Sequence, residues 1–363
     1  MSACAGFEEP ALQPITPERL TAINIPPVQH KSETFDIMVS DEAGHRIFVA
    51  DAVDQGVDVV STMPAPGRYI TTVKTSGLPS GVAYAGDLQR LYAANDDGTI
   101  SVIDVNPASP TAYTVVSSVQ PSNGSIVDLL EYDQPDHRLF ATLPDDGALA
   151  AIDVTNGQVV GTLRGIGASA QPRYNPGDHM LYVPGTDDNL VRKVDPRTMQ
   201  LLGKYTIPVV CVPAGLAIDP ATNQGLIGCG DKDNLVTVAW DFRSERMLQQ
   251  FDFAGGGDEV VFDAKAGHFY FAAQGYAPPE VAVFNADPIT FLTAIPTSHH
   301  SRNVAYDETN HMIYTIDGRH LEAGVWAFPD PVQGCAGHEA ELAAAGAPRS
   351  QTPDCHPETS AAA

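Results

Sequence analysis

The chain has 363 residues, of which 43% are hydrophobic, and 45 acidic side chains stand against 20 basic ones for a formal net charge of −25. Nucleic acid and anionic lipid both need a basic face that displaces counterions, so this balance excludes them as expected partners and favours plain solubility. No run of 18 or more apolar residues occurs, so no transmembrane segment is expected.

At the start, Ser2-Ala-Cys-Ala-Gly resembles the end of a bacterial lipoprotein signal, where small residues precede a lipidated cysteine. An extracytoplasmic protein, periplasmic or secreted and lipid-anchored through Cys4, is therefore the expectation. The alternative is that Cys4 is an ordinary residue of an N-terminal tail, residues 1–18. Leu20-Thr-Ala-Ile-Asn-Ile-Pro then reads as a single strand with no partner nearby.

From there one register repeats seven times. Its anchors are Ile47, Leu91, Leu139, Leu181, Leu226, Tyr270 and Ile313, separated by 44, 48, 42, 45, 44 and 43 residues. Each anchor sits in a β-rich run such as His45-Arg-Ile-Phe-Val-Ala or Gln89-Arg-Leu-Tyr-Ala-Ala. A turn residue stands six or seven positions upstream (Ser40, Ala85, Asp133, Asn175, Asp219, Asp263, Asp307), preceded by a short apolar run such as Gly81-Val-Ala-Tyr. Gly/Asp/Asn turns follow, such as Asn95-Asp-Asp-Gly, then a third strand (Ile100-Ser-Val-Ile-Asp) and a more polar fourth one. Four strands at this period predict an all-β, seven-bladed β-propeller over residues 19–334. The seventh unit supplies only three strands before Pro329-Asp-Pro. The N-terminal strand is the predicted fourth, closing the ring and removing an open edge.

Five histidines, His45, His137, His179, His268 and His311, fall two residues before an anchor, where Gln89 and Gln224 stand in the other units. Such repetition assigns them to the turn between first and second strands rather than to a metal site. Cys211 and Cys229 flank the first two strands of unit five; they can bridge, or Cys229 can be a small core residue. The tail 335–363, bracketed by Cys335 and Cys355 and rich in Ala, Gly, Pro and Glu, is expected to be flexible.

Ligands of a propeller gather at the mouth of its channel. The expected channel-facing set is Asp36, Gly81, Leu129, Gln171, Gly215, Glu259 and Asn303, or else the neighbouring set with Asp128, Asp258 and Arg302. Units six, seven and one are the most polar and become adjacent on closure. There Glu259, His299, His300 and Arg302 are the candidate catalytic residues: a carboxylate and a histidine for proton transfer, an arginine for an anionic group. Asp36, Gln171, Arg173, Asn303, Tyr276 and His320 are the candidate substrate-binding residues; Tyr276 lies in Gln274-Gly-Tyr-Ala-Pro-Pro-Glu, unlike the Asp-rich turns elsewhere. His299, His300 and Glu259 are also the candidate ligands of one divalent metal ion. The plainer alternative is a polar mouth that only holds water. No Gly-rich phosphate loop, Gly-x-Ser-x-Gly elbow or Cys-x-x-Cys pair is present.

The repeat, with Leu91-Tyr-Ala-Ala-Asn, Gly98-Thr-Ile-Ser-Val-Ile-Asp and Pro79-Ser-Gly-Val-Ala-Tyr, resembles the YVTN-type β-propeller family from roughly Ile23 to Pro329. The resemblance implies kinship with bacterial surface and periplasmic binding proteins, lactonase-like propellers and propeller lyases and hydrolases, and carries over no catalytic residue. Two functions follow as expectations. One is an extracytoplasmic hydrolase or lyase acting on a small molecule at the channel mouth. The other is a non-catalytic scaffold that binds a protein partner on a blade face.

Overall fold

The computed structural model describes residues 21–25, 35–231, 233–275, 279–297, 301–317 and 324–332. Each repeat folds as an antiparallel four-stranded sheet, and there are seven of them. Blades one to six span residues 35–74, 79–119, 130–164, 173–206, 213–251 and 260–296. Blade seven joins residues 305–329 to the N-terminal strand Thr21–Asn24, which pairs antiparallel with Gly324–Pro329 in the register Thr21↔Ala327 to Asn24↔Gly324. The predicted closure is therefore the observed one.

The burial pattern follows strand order. Second and third strands such as Arg46–Asp51 and Ala148–Asp153 are buried almost throughout, because both of their faces meet neighbouring blades. Outer strands such as Gln200–Thr206 alternate exposed with half-buried residues. The core is divided into seven apolar clusters, one for each blade-to-blade interface. At the closing interface Ile23, Ile316, Val325 and Ala327 pack on Ile47, Val49 and Val60 of blade one.

Two registers differ from the sequence reading. The turn between first and second strands ends on a residue with positive φ: His45, Gln89, His137, His179, Asn223 and His311 lie between 48° and 59°, and Gly267 at 68°. In blades five and six this residue is Asn223 and Gly267, not Gln224 and His268. Asn and Gly accept the left-handed conformation most readily, so they take the turn and the strand begins one residue earlier than the sequence reading, at Gln224 and His268. His268 is thus the first residue of its strand, buried, with Nδ1 3.7 Å from Asp330 Oδ2. Blade one is also offset. Asp41 pairs with Arg46 as Ala85 pairs with Arg90, so its inner strand ends at Asp41 rather than Ser40. By that alignment Asp36 stands level with Asp128, Asp258 and Arg302, and Ile37 takes the place beside Glu259.

Cys211 and Cys229 form a disulfide with Cα atoms 4.5 Å apart, buried in the cluster between blades four and five. No described helix is long and apolar enough to cross a membrane.

Candidate functional site on the propeller axis

The inner strands run along the axis, so each strand position makes one level of the channel. The upper end is where these strands begin; the lower end is where they turn into the second strands.

At the uppermost level, Arg302 of blade seven reaches Asp258 of blade six (3.1 Å) and Asp36 of blade one (3.5 Å). Asp128 of blade three belongs to the same electrostatic group. Burial, together with Asp258 and Asp128, pushes Asp36 up to about 7 against the pull of Arg302. Burial raises Asp258 and Asp128 as well. It works against the Arg302 charge too, but the three carboxylates outweigh it and hold that pKa up.

The next level forms the seams between blades. A Cβ on Gly81 would stand 2.4 Å from the Asp128 carbonyl oxygen, and one on Gly215 2.9 Å from that of Asp258, so only glycine lets the next blade approach. Gln171 is buried and its Oε1 accepts from Leu216 N–H (3.3 Å). Asn303 is buried too; its Nδ2 donates to the Asp36 carbonyl (2.6 Å) and its Oδ1 accepts from Ile316 N–H (3.1 Å). Both amides are engaged with backbone of neighbouring strands.

Glu259 stands on this level and behaves differently. Its Oε2 accepts from Met38 N–H of blade one (3.2 Å) and Val304 N–H beside blade seven (3.0 Å), so the side chain spans two blade steps. It is 1% exposed, and Oε1 takes no part in either bond. Burial outweighs the two N–H donors and the Arg173 charge and pushes this carboxyl up to about 8. Glu259 therefore carries a proton at neutral pH.

Below it, Arg173 Nη1 bonds Glu131 Oε2 (3.0 Å) and Nε donates to the Leu216 carbonyl (2.8 Å), while Glu131 Oε1 accepts from Tyr174 N–H (3.0 Å). Burial raises Glu131 despite these partners. The last level carries Tyr84, Tyr132, Tyr174, Phe262 and Tyr306. Tyr132, Tyr174 and Tyr306 each share a hydrogen bond with the Nδ1 of the turn histidine five residues on, at 3.1–3.2 Å. Tyr84 accepts from Gln89 Nε2 (2.8 Å). The turn histidines of these three blades thus brace the inner-strand tyrosines.

A cavity of about 380 Å³ occupies the lower part of the channel. Its wall includes Glu259, Arg173, Glu131 and the aromatic level, and extends to Glu42 and Asp263. Of the sequence-derived candidates, Glu259 and Arg173 line it; Asp36 and Arg302 form the upper cluster instead; Gln171 and Asn303 lie in the seams. His299, His300, Tyr276 and His320, like His30, lie outside the described residues. Among the described residues no group of three or more His, Cys, Asp or Glu is placed to hold a metal ion. Glu131 and the aromatic level were missed by sequence reasoning. The aromatic level had a signal: an aromatic residue precedes the turn in five of the seven blades.

No protein-family model matches the chain. A curated relative, the Uncharacterized protein YncE of Salmonella typhi, is 26% identical over 185 residues, 51% of this chain and 52% of that protein. The match thus spans about half the length of that relative. A chain in the Crystal Structure of Mitotic Checkpoint Complex superposes with a TM-score of 0.67 and 16% identity, over 91% of this chain and 99% of that one; at this identity the likeness is one of fold alone. The YncE similarity and the seven-bladed architecture fit a propeller family.

Proposed function

We propose that this chain is an extracytoplasmic YVTN-type propeller that binds a small molecule on its axis and performs acid–base chemistry of hydrolase or lyase type, with Glu259 as the proton-transferring group. The observation that carries this reading is the state of Glu259 in the cavity wall. Two backbone N–H groups fix one oxygen, the other stays outside those bonds, and burial raises the acid to about 8. An acid poised near the working pH transfers protons most effectively, and such a group contributes roughly 10²–10⁴-fold to rate. Arg173, held by Glu131 and a carbonyl, is a fixed positive dipole end beside it. The extracytoplasmic part is supported by the buried Cys211–Cys229 bridge, since reducing cytosol disfavours such bonds. A divalent ion held by His299, His300 and Glu259 is the metal-assisted form of the same proposal, and elemental analysis of the purified protein tests it.

The test is a turnover screen over small esters, lactones and β-eliminating substrates. Glu259→Gln is nearly isosteric, so the fold is retained, and turnover should fall at least about a hundredfold. Undiminished turnover in that variant overturns the proposal.

The scaffold reading has its own observation. In Thr114–Val119, the outer strand of blade two, five of six residues are exposed, Val115 and Val116 among them, and in the outer strand of blade three Val159 and Val160 are exposed as well. Apolar outer strands of this kind suit a protein partner. A partner lost on Val116→Lys and Val160→Lys, but kept on Glu259→Gln, would select this reading.

A further inference from the structure

The wall of the lower cavity has a charge pattern that narrows what it can hold. Four carboxyl groups line it, Glu42, Glu131, Glu259 and Asp263, against one basic side chain, Arg173. That guanidinium is engaged by Glu131 and by the carbonyls of Leu216 and Pro172. Its charge is therefore matched within the wall. At the lower opening Glu42 and Asp263 face each other; burial and the Asp263 charge raise Glu42, and the exposed Lys265 offsets this only from outside. An anionic ligand would meet a wall with more carboxyl groups than cations, and a wholly apolar one would strip water from those groups without replacement.

We propose that the cavity takes a small organic cation, an ammonium or guanidinium compound with an apolar body. The aromatic level supports the apolar body and the charge alike, since aromatic rings attract cations more strongly once water is removed. Their hydroxyls are tied to His137, His179, His311 and Gln89, so the rings are fixed before a ligand arrives. The volume of about 380 Å³ suits a compact molecule rather than a polymer. Above the rings, Glu259 Oε1 is the carboxyl oxygen without a backbone donor, on a side chain 99% buried. An ammonium or guanidinium N–H drawn up to it has that oxygen as an acceptor. The charged groups that face Glu259 are Arg173 from blade four and Asp36 from blade one, with Glu131 of blade three behind Arg173. This inference names the substrate class of the acid–base reading and rests on it only for the choice of cavity.

Calorimetric titration of the full chain with choline, spermidine and arginine methyl ester, against acetate and glucose, tests it. At least one cation should bind below about 10 mM, and acetate and glucose should not. Affinity should fall about tenfold in Tyr132→Leu/Tyr174→Leu. Should that variant fail to fold, Glu131→Gln decides: it leaves the Arg173 charge unmatched in the wall, so cation affinity should fall about tenfold. No cation binding, or cation affinity undiminished in Glu131→Gln, overturns the inference. The two readings fail separately: Glu259→Gln can lose turnover on a neutral or anionic compound while no cation binds, or keep turnover while a cation still binds.

Discussion

At the scale of the residue, Glu259 combines a structural cost with a chemical use. A buried carboxyl is cheaper to keep protonated than ionised, and the cost appears as a pH dependence of stability. In the unfolded chain this acid titrates at its ordinary value near 4.5; in the fold it titrates at about 8. Below the lower value both states hold the proton and the group is neutral toward folding. As pH rises through the interval the unfolded chain ionises while the folded one does not, so stability falls, by about 1.4 kcal/mol per pH unit at most. Above about 8 the loss is complete and level. Asp36, raised to about 7, adds a loss of the same sign, tempered by its partial exposure. Buried Glu280 and Asp51, raised to about 7 and about 6, act in the same direction, so the expected outcome is that urea midpoints decline from mildly acid to mildly alkaline pH and that Glu259→Gln makes this decline shallower. A Glu259→Gln profile parallel to the wild type would show that Glu259 ionises normally in the fold.

At the scale of the element, the turns explain what the sequence revealed and what it hid. The spacing of β-rich runs was legible because each blade needs the same four strands to fill the same wedge. The exact phase within a blade was less legible, because the turn accepts several residues. His137, His179 and His311 marked it correctly, but Asn223 and Gly267 replaced the marker in blades five and six, and a run shifted by one residue still looks apolar. The same one-residue slip in blade one hid that Asp36 belongs with Arg302. Glu259 was legible as a charged residue on a level where four blades carry glycine or an apolar side chain and two carry the amides Gln171 and Asn303. The aromatic level was not, because a tyrosine on an inner strand reads as core until the axis is known. Blade five adds one covalent element, the Cys211–Cys229 bridge with a sequence separation of 18. Closing a loop of that size restricts the unfolded chain by an amount worth about 3 kcal/mol. The Cys211→Ser/Cys229→Ser double variant should lose about 2–4 kcal/mol in denaturant titrations, and a reducing agent should bring the wild type down to the same value. Wild type unaffected by reductant would mean that the bridge adds nothing.

At the scale of the whole molecule, the ring is a chain of seven interfaces, and closure decides whether the first and last can form together. The closing seam has its own apolar cluster, to which the N-terminal strand brings Ile23. Polar bonds reinforce it: Ser40 Oγ donates to the Tyr306 carbonyl (2.7 Å), Asn310 Nδ2 to that of Thr62 (3.0 Å) and the Tyr314 hydroxyl to that of Pro66 (3.0 Å). Blade seven and blade one therefore hold each other even without Thr21–Asn24, but the last blade would then present the bare edge of Gly324–Pro329. The strand adds four paired residues and buries Ile23. Burial of one such side chain is worth about 1.5–3 kcal/mol, and the ladder bonds add about 1 kcal/mol each before the entropy of ordering the strand is subtracted. Deleting the residues before Pro27 should therefore cost on the order of a few kcal/mol and expose an edge that promotes association. Deleting the residues after Gly334 should leave the denaturation midpoint where it was. Denaturation and light scattering on the two truncations test this together. An N-terminal truncation as stable and monomeric as the C-terminal one would mean that the side-chain bonds of the seam close the ring unaided.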